Sequence, residues 1–301
     1  MKKQINYIVF FIIFFLLLNF VGGKILLAGI DRFYGLKQYS ELLLIGHSHL
    51  MLATDKKALE KETGKKISKY TREGVNVVDR YYMVEQYLNS KYSDSLKVVF
   101  YGVDQFTFTS SGLSDNSYKL FYPFMGDSIM DEFVKRNEKN EGDYYKHKWL
   151  PLTRYSDVLI NASLRGWRND FSNYKNGTID MDSYRERIKN NEKQFNRDIE
   201  MNPDLMAIFE ETIDRITQKN IQVVLVNTPL VDVLNNAGSE NYREMIDFYK
   251  NYALTHELVD YWDFNPEYSS DYSIFHDPIH LNPKGQKIIT SEIITRINNM
   301  N

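Results

Sequence analysis

The sequence predicts a three-layer α/β fold on a five-stranded parallel sheet, with an N-terminal transmembrane helix ahead of it and a long aromatic-rich insertion within it. Three observations carry that prediction. Short, continuously apolar runs recur along the chain, as strands buried on both faces do. Helix-like stretches lie between them, so the strands are joined by crossovers and run parallel. The alternation breaks once, over residues 105–202, and then resumes.

The N-terminal helix comes first. Lys2 and Lys3 precede an apolar run from Ile5 to Val21 that only Asn6, Tyr7 and Asn19 interrupt, and Ile25 to Ile30 follows Gly22, Gly23 and Lys24. A spanning helix needs about 20 mostly apolar residues. Ile5 to roughly Leu27 supplies them if the Lys24 ammonium snorkels to the interface. A cleaved signal peptide is shorter and ends in a small-x-small site, which Ala28-Gly29 matches poorly. The chain has no cysteine, which closes the lipoprotein route. Basic residues ahead of the run place the N-terminus in the cytoplasm. Residues 1–30 therefore read as a single-pass anchor in the cell membrane, and 31–301 as an extracytoplasmic domain.

Glu41 to Ile45 is the first strand. Asp55 to Thr63 is helical in composition and is stopped by Gly64. Ile67 to Tyr70 is the second strand, and Asn76 caps a helix that runs through Gln86 to about Ser90. Leu96 to Tyr101 is the third strand, ended by Gly102. Residues 105–202 show no strong period but carry Phe121-Tyr-Pro-Phe124, Tyr144-Tyr145, Trp149 and Trp167. A connection of that length exceeds what an α/β unit requires, so it reads as an insertion that acts as a lid or binding wall. Leu205 to Gln218 then sets Leu205, Ile208, Phe209, Ile213 and Ile216 along one helical stripe. Ile221 to Val226 is the fourth strand, Asn241 to Leu254 an amphipathic helix, and Leu258 to Trp262 the fifth strand. Pro283 to Ile297 is a closing helix with proline in its first turn.

Composition removes several function classes. The formal net charge is −3, so the basic footprint of a nucleic-acid binder is missing. The absence of cysteine excludes disulfide frameworks, thiolate nucleophiles and cysteine-based zinc sites.

Two segments carry chemistry, Gly46-His47-Ser48-His49 and Phe275-His276-Asp277-Pro278-Ile279-His280-Leu281-Asn282, and they hold four of the six histidines. The first ends a buried strand, where ligands bind in open α/β sheets. Serine is a weak nucleophile that needs an adjacent base. A histidine oriented by a carboxylate provides one, because the carboxylate fixes the tautomer and stabilises the imidazolium. Asp277 and His280 are three residues apart and can point the same way from one turn or tight loop. Ser48, His280 and Asp277 are thus the candidate nucleophile, base and orienter, with no cofactor or metal required. A rival reading makes His47, His49, His276, Asp277 and His280 the ligands of a metal-dependent hydrolase.

These residues resemble the SGNH (GDSL-like) hydrolases and acyltransferases, in which the nucleophilic serine follows the first strand and an Asp-x-x-His segment precedes the last helix. Ser48, Asp277 and His280 match in order, and His280-Leu-Asn-Pro-x-Gly285 is typical of how the family enters its last helix. The resemblance covers Ser40 to Gly102 and Val223 to the C-terminus. It implies a flavodoxin-like sheet and an oxyanion hole at Ser48 and Gly74. His49, Asn76 and Asp104 are weaker candidates for substrate binding. Two departures stand out. His47 precedes the serine where hydrolases usually carry Asp, and the third block, Gly-x-Asn-Asp in the family, reads Gly102-Val103-Asp104. The asparagine donor to the oxyanion is therefore missing.

Anchor, Gly-x-Ser-His segment, degenerate third block and aromatic insertion together look like the membrane-anchored, polymer-modifying branch. That branch includes the alginate O-acetylation proteins and the D-alanine transfer protein of lipoteichoic acid. The resemblance implies a serine acyltransferase or esterase that moves an O-acyl group, acetyl or similar, between an acyl donor and a glycopolymer, beside a membrane-bound O-acyltransferase. The non-enzymatic alternative is a tethered scaffold that binds a polysaccharide or such a partner.

Overall fold

The computed structural model describes residues 2–110, 114–190, 199–236 and 239–300. The chain divides into two compact units, 1–37 with 115–170 and 38–114 with 171–301. The stretch 105–202 is thus shared between them.

The larger unit carries a five-stranded, wholly parallel sheet of β1 (Leu42–Gly46), β2 (Ile67–Thr71), β3 (Val98–Val103), β4 (Gln222–Asn227) and β5 (Val259–Asp263). The order is β2-β1-β3-β4-β5, that of the flavodoxin-like sheet the resemblance implies. β1 sits centrally between β2 and β3 and is buried along its whole length, which is why it shows no polar alternation. β3 starts two residues later than expected, because Lys91–Ser95 forms a 3₁₀ turn first.

Successive side chains alternate between the sheet faces. Leu42, Leu44, Phe100 and Val224 share a core with Ile289, Ile293 and Ile297 of the closing helix Pro283–Asn299. On the other face Tyr101 packs edge-on against Phe209, with ring centroids 5.6 Å apart. Phe209 belongs to the helix Pro203–Thr217, which buries Leu205, Phe209, Ile213 and Ile216 at helical spacing and is capped by Asn202. Phe209 is fully buried; truncating such a residue to alanine costs about 3–5 kcal/mol.

The smaller unit is helical. The N-terminal helix Lys2–Tyr34 is long and apolar enough to cross a membrane. Its second half packs on the helix Asp157–Arg168, where Gly29 and Gly166 allow backbone contact: a Cβ on Gly166 would lie 1.9 Å from the Gly29 carbonyl oxygen. Part of the insertion's aromatic set packs within this unit, Phe121 on Phe133 and Tyr122 on His147, whereas Tyr145, Trp149 and Trp167 stay exposed.

Candidate active site

Three carboxyl-terminal strand ends place the site. Ser48 follows β1, Gly74 follows β2 and Asp104 follows β3. After Gly46 the chain turns into the short helix Ser48–Ala53, with His47 as its N-cap. The His49 backbone N–H donates to His47 Nδ1 at 3.1 Å. From this turn Ser48 meets His280, and the two flanking imidazoles meet Asp104.

Asp277 and His280 face each other across a tight antiparallel hairpin of β6 (Phe275–Asp277) and β7 (His280–Leu281). Asp277 Oδ1 accepts the backbone N–H groups of Ile279 and His280, each at 3.0 Å. Its Oδ2 lies 2.8 Å from His280 Nδ1, and His280 Nε2 lies 2.9 Å from Ser48 Oγ. A nitrogen facing a carboxylate carries the proton, so Nε2 presents its lone pair to the serine hydroxyl. Burial alone would raise the Asp277 pKa. The hydrogen bond and charge of His280, with the Ile279 N–H, outweigh it and hold Asp277 below the ordinary 3.8. The next helix is capped by Asn282, whose Oδ1 accepts from Lys284 and Gly285. Asp277 is therefore left to serve His280.

The hairpin is braced by a part of the insertion. Asn173 donates to the Leu281 carbonyl at 2.8 Å, the Asn176 carbonyl meets His276 Nδ1 at 2.6 Å, and the Ile179 N–H donates to Phe275 at 3.0 Å. His276, a ligand in the metal reading, is turned to that brace. Asp277 and His280 are engaged with each other and with Ser48.

Another group converges instead: the ligand atoms of His47, His49 and Asp104 lie within 4.8 Å of one another. Asp104 Oδ2 meets His47 Nε2 at 3.1 Å and His49 Nδ1 at 2.7 Å, both off the ring N–H axis. Its Oδ1 accepts the Phe106 N–H at 2.7 Å. Burial opposes ionisation of Asp104, but the two imidazoles prevail and hold it well below the ordinary carboxylate value. His49 is pushed down to about 4, chiefly by burial and then by His47 beside it, so it is neutral near pH 7. The donor set fits a metal poorly. His47 Nδ1 accepts a backbone N–H, so neutral His47 keeps its proton on Nε2, the atom a metal would need.

Of the weaker candidates, Asp104 has both oxygens engaged, and His49 has Nδ1 committed to it. Asn76 caps the helix Val77–Leu88 in a reciprocal capping box with Asp79. All three still line a pocket of about 340 Å³ that also contains Ser48, His280 and Gly74. Gly74 has φ of 80°, a conformation that favours glycine, and open space where a Cβ would stand.

The sequence reading missed two cations in this pocket, Arg80 and Lys175. Arg80 is 1% exposed. Its Nε donates to the Asn76 carbonyl at 3.2 Å and its Nη1 to the Gly102 carbonyl at 2.5 Å. The available signal was spacing: Arg80 stands one helical turn after Asn76, on the face that enters the site. Lys175 Nζ pairs with Glu73 at 3.6 Å.

Residues 167–293 match the family model for GDSL-like lipase/acylhydrolase. The GDSL-like match contains the Asp277–His280 hairpin, the brace and the first part of the closing helix, and does not extend to Ser48. It supports ester-hydrolase chemistry, and the five-stranded sheet is consistent with it. No curated protein matches the chain.

Proposed function

We propose that this chain is a membrane-anchored serine acyltransferase or esterase acting on an O-acylated cell-envelope or secreted glycopolymer. The observation that carries the proposal is the continuous relay Asp277–His280–Ser48, with heavy-atom distances of 2.8 and 2.9 Å. His280 Nε2 takes the Ser48 proton as Oγ attacks the acyl carbonyl. Backbone N–H groups at Ser48 and Gly74 receive the oxyanion. Arg80, anchored to the first residue of the third block, adds positive charge where the asparagine donor is missing. His280 then protonates the leaving alcohol. Water releases the acyl group in the esterase direction, and a sugar hydroxyl accepts it in transfer.

Retention of the N-terminal helix is favoured by its packing, since cleavage at Ala28-Gly29 would remove Gly22, Gly23 and Ile25 from their contacts with Leu152, Pro151 and Trp167. With the basic N-terminus inside, the larger unit lies outside the cell, beside membrane-derived acyl donors and a membrane-bound O-acyltransferase partner. Asp104 in place of the asparagine is what favours the scaffold reading as the alternative.

An active-site serine reagent separates the two. Labelling at Ser48 that is lost in Ser48→Ala and His280→Ala supports the enzyme. An unlabelled folded protein, with Ser48→Ala fully functional in polymer O-acylation, leaves only the scaffold. Loss of activity with a chelator would instead restore the metal reading.

A further inference from the structure

The smaller unit exposes several large apolar side chains near the N-terminal helix. Trp149 is 74% exposed, Val158 64% and Leu152 38%. All lie in the segment 149–158, around the 3₁₀ turn Pro151–Arg154. Its position along the helix is fixed by contacts. A Cβ on Gly23 would strike Pro151, one on Gly22 would strike Leu152, and the Tyr155 hydroxyl donates to the Gly23 carbonyl at 2.8 Å. Lower still, the Leu152 N–H donates to Asn19 Oδ1 at 3.1 Å.

Length decides what surrounds that segment. Ile5 to Val21 at about 1.5 Å per residue spans about 25 Å, short of the ~30 Å hydrocarbon core of a bilayer. The bilayer must therefore reach about one further turn, to the level of Gly22 to Ile25, where Pro151 and Leu152 pack. Asn19 gives the same depth independently. A polar side chain within a span needs a partner, and Asn19 is 5% exposed amid bare apolar neighbours because Leu152 supplies one.

We propose that segment 149–158 is a second membrane contact, a collar around the anchor that seats Trp149, Leu152 and Val158 in the outer boundary of the bilayer. Tryptophan favours that boundary, with its ring in the apolar zone and its N–H in the wet one. The collar would fix the depth of the smaller unit, which a bare single helix leaves free. This inference rests on the anchor reading above.

The chain lacks cysteine, so single-cysteine variants need no other change. Trp149→Cys and Val158→Cys, each carrying a nitroxide in the full chain reconstituted in phosphatidylcholine vesicles, report depth by collision with dissolved oxygen or an aqueous nickel chelate. Leu254→Cys, at a position 84% exposed in the larger unit, is the control. The collar predicts oxygen in excess at 149 and 158 and nickel in excess at 254. Nickel in excess at both collar positions, or shielding from both reagents by a second copy or other protein surface, overturns it. Vesicle flotation tests the anchor separately. Protein that floats with a nickel-accessible collar loses the collar alone, whereas protein that does not float loses both. If Trp149→Cys fails to fold, Val158→Cys carries the same test.

Discussion

Two histidine–carboxylate groups stand side by side in the pocket and are used in opposite ways. In the first, Asp277 serves one imidazole, and the second nitrogen of that ring is left for Ser48. In the second, one oxygen of buried Asp104 takes both His47 and His49. His280 and His49 rings are only 5.6 Å apart, so proximity does not distinguish them. What does is whether the ring keeps a lone pair aimed at a reacting group. On the proposed reading the first group moves a proton, and the second holds a charge still.

The largest effect should come from the first group. Ser48→Ala and His280→Ala are each expected to lower kcat for ester cleavage by about 10⁴-fold or more, and the double variant should be no worse than either alone. A double variant that multiplies the two losses would show that the residues do not act as one unit.

Asparagine at the two aspartates sharpens the contrast. Asp277→Asn should cost on the order of 10³–10⁴ in kcat through the wrong imidazole tautomer, with little change in Tm. Asp104→Asn should instead lower stability by about 1–3 kcal/mol, as expected when a buried charged contact is lost, with a smaller change in kcat. Chemical denaturation and steady-state kinetics on both proteins check this. The comparison breaks if the two substitutions behave alike.

A smaller loss is expected at Arg80, whose replacement by lysine removes the planar fork but keeps the charge. Arg80→Lys should therefore lower kcat by less than about tenfold, whereas Arg80→Met, which removes the charge, should reduce it by about 10²-fold with KM nearly unchanged, the size expected for one oxyanion-stabilising group. A change confined to Tm would make Arg80 structural only.

The mildest effect is on pH dependence. The His49 pKa in the folded chain lies near 4, below its ordinary 6.5, so the unfolded chain takes up the proton first as pH falls. Stability should therefore decline from about pH 6.5 to about pH 4. Asp104, depressed in the folded chain, adds a further loss below pH 3.8. His49→Gln should flatten the first part of that decline in denaturation curves taken across the range.

Strands β1, β3 and β4 were legible because each is a local apolar run, β2 and β5 from their place in the alternation with helices, and Asp277 with His280 because their spacing is a local motif. Ser48 was legible from its place after β1. The partnership of Asp104 with His47 and His49 was not, since it joins residues more than fifty positions apart with no periodicity to announce it. Nor does the sequence sort the aromatic insertion, in which Phe121 is buried while Trp149 and Trp167 stay exposed, or announce that small polar residues such as Asn173 brace the site.

The bond between Ser48 and His280 joins residues 232 positions apart. All five strands are complete by Asp263, yet the base and the closing helix are still to come. On the proposed reading the nascent chain carries its nucleophile through almost the whole of synthesis with nothing to activate it. Acyl chemistry on that reading switches on only when the final hairpin docks, and a chain cut short before His280 would lack both its base and the helix that covers one face of the sheet.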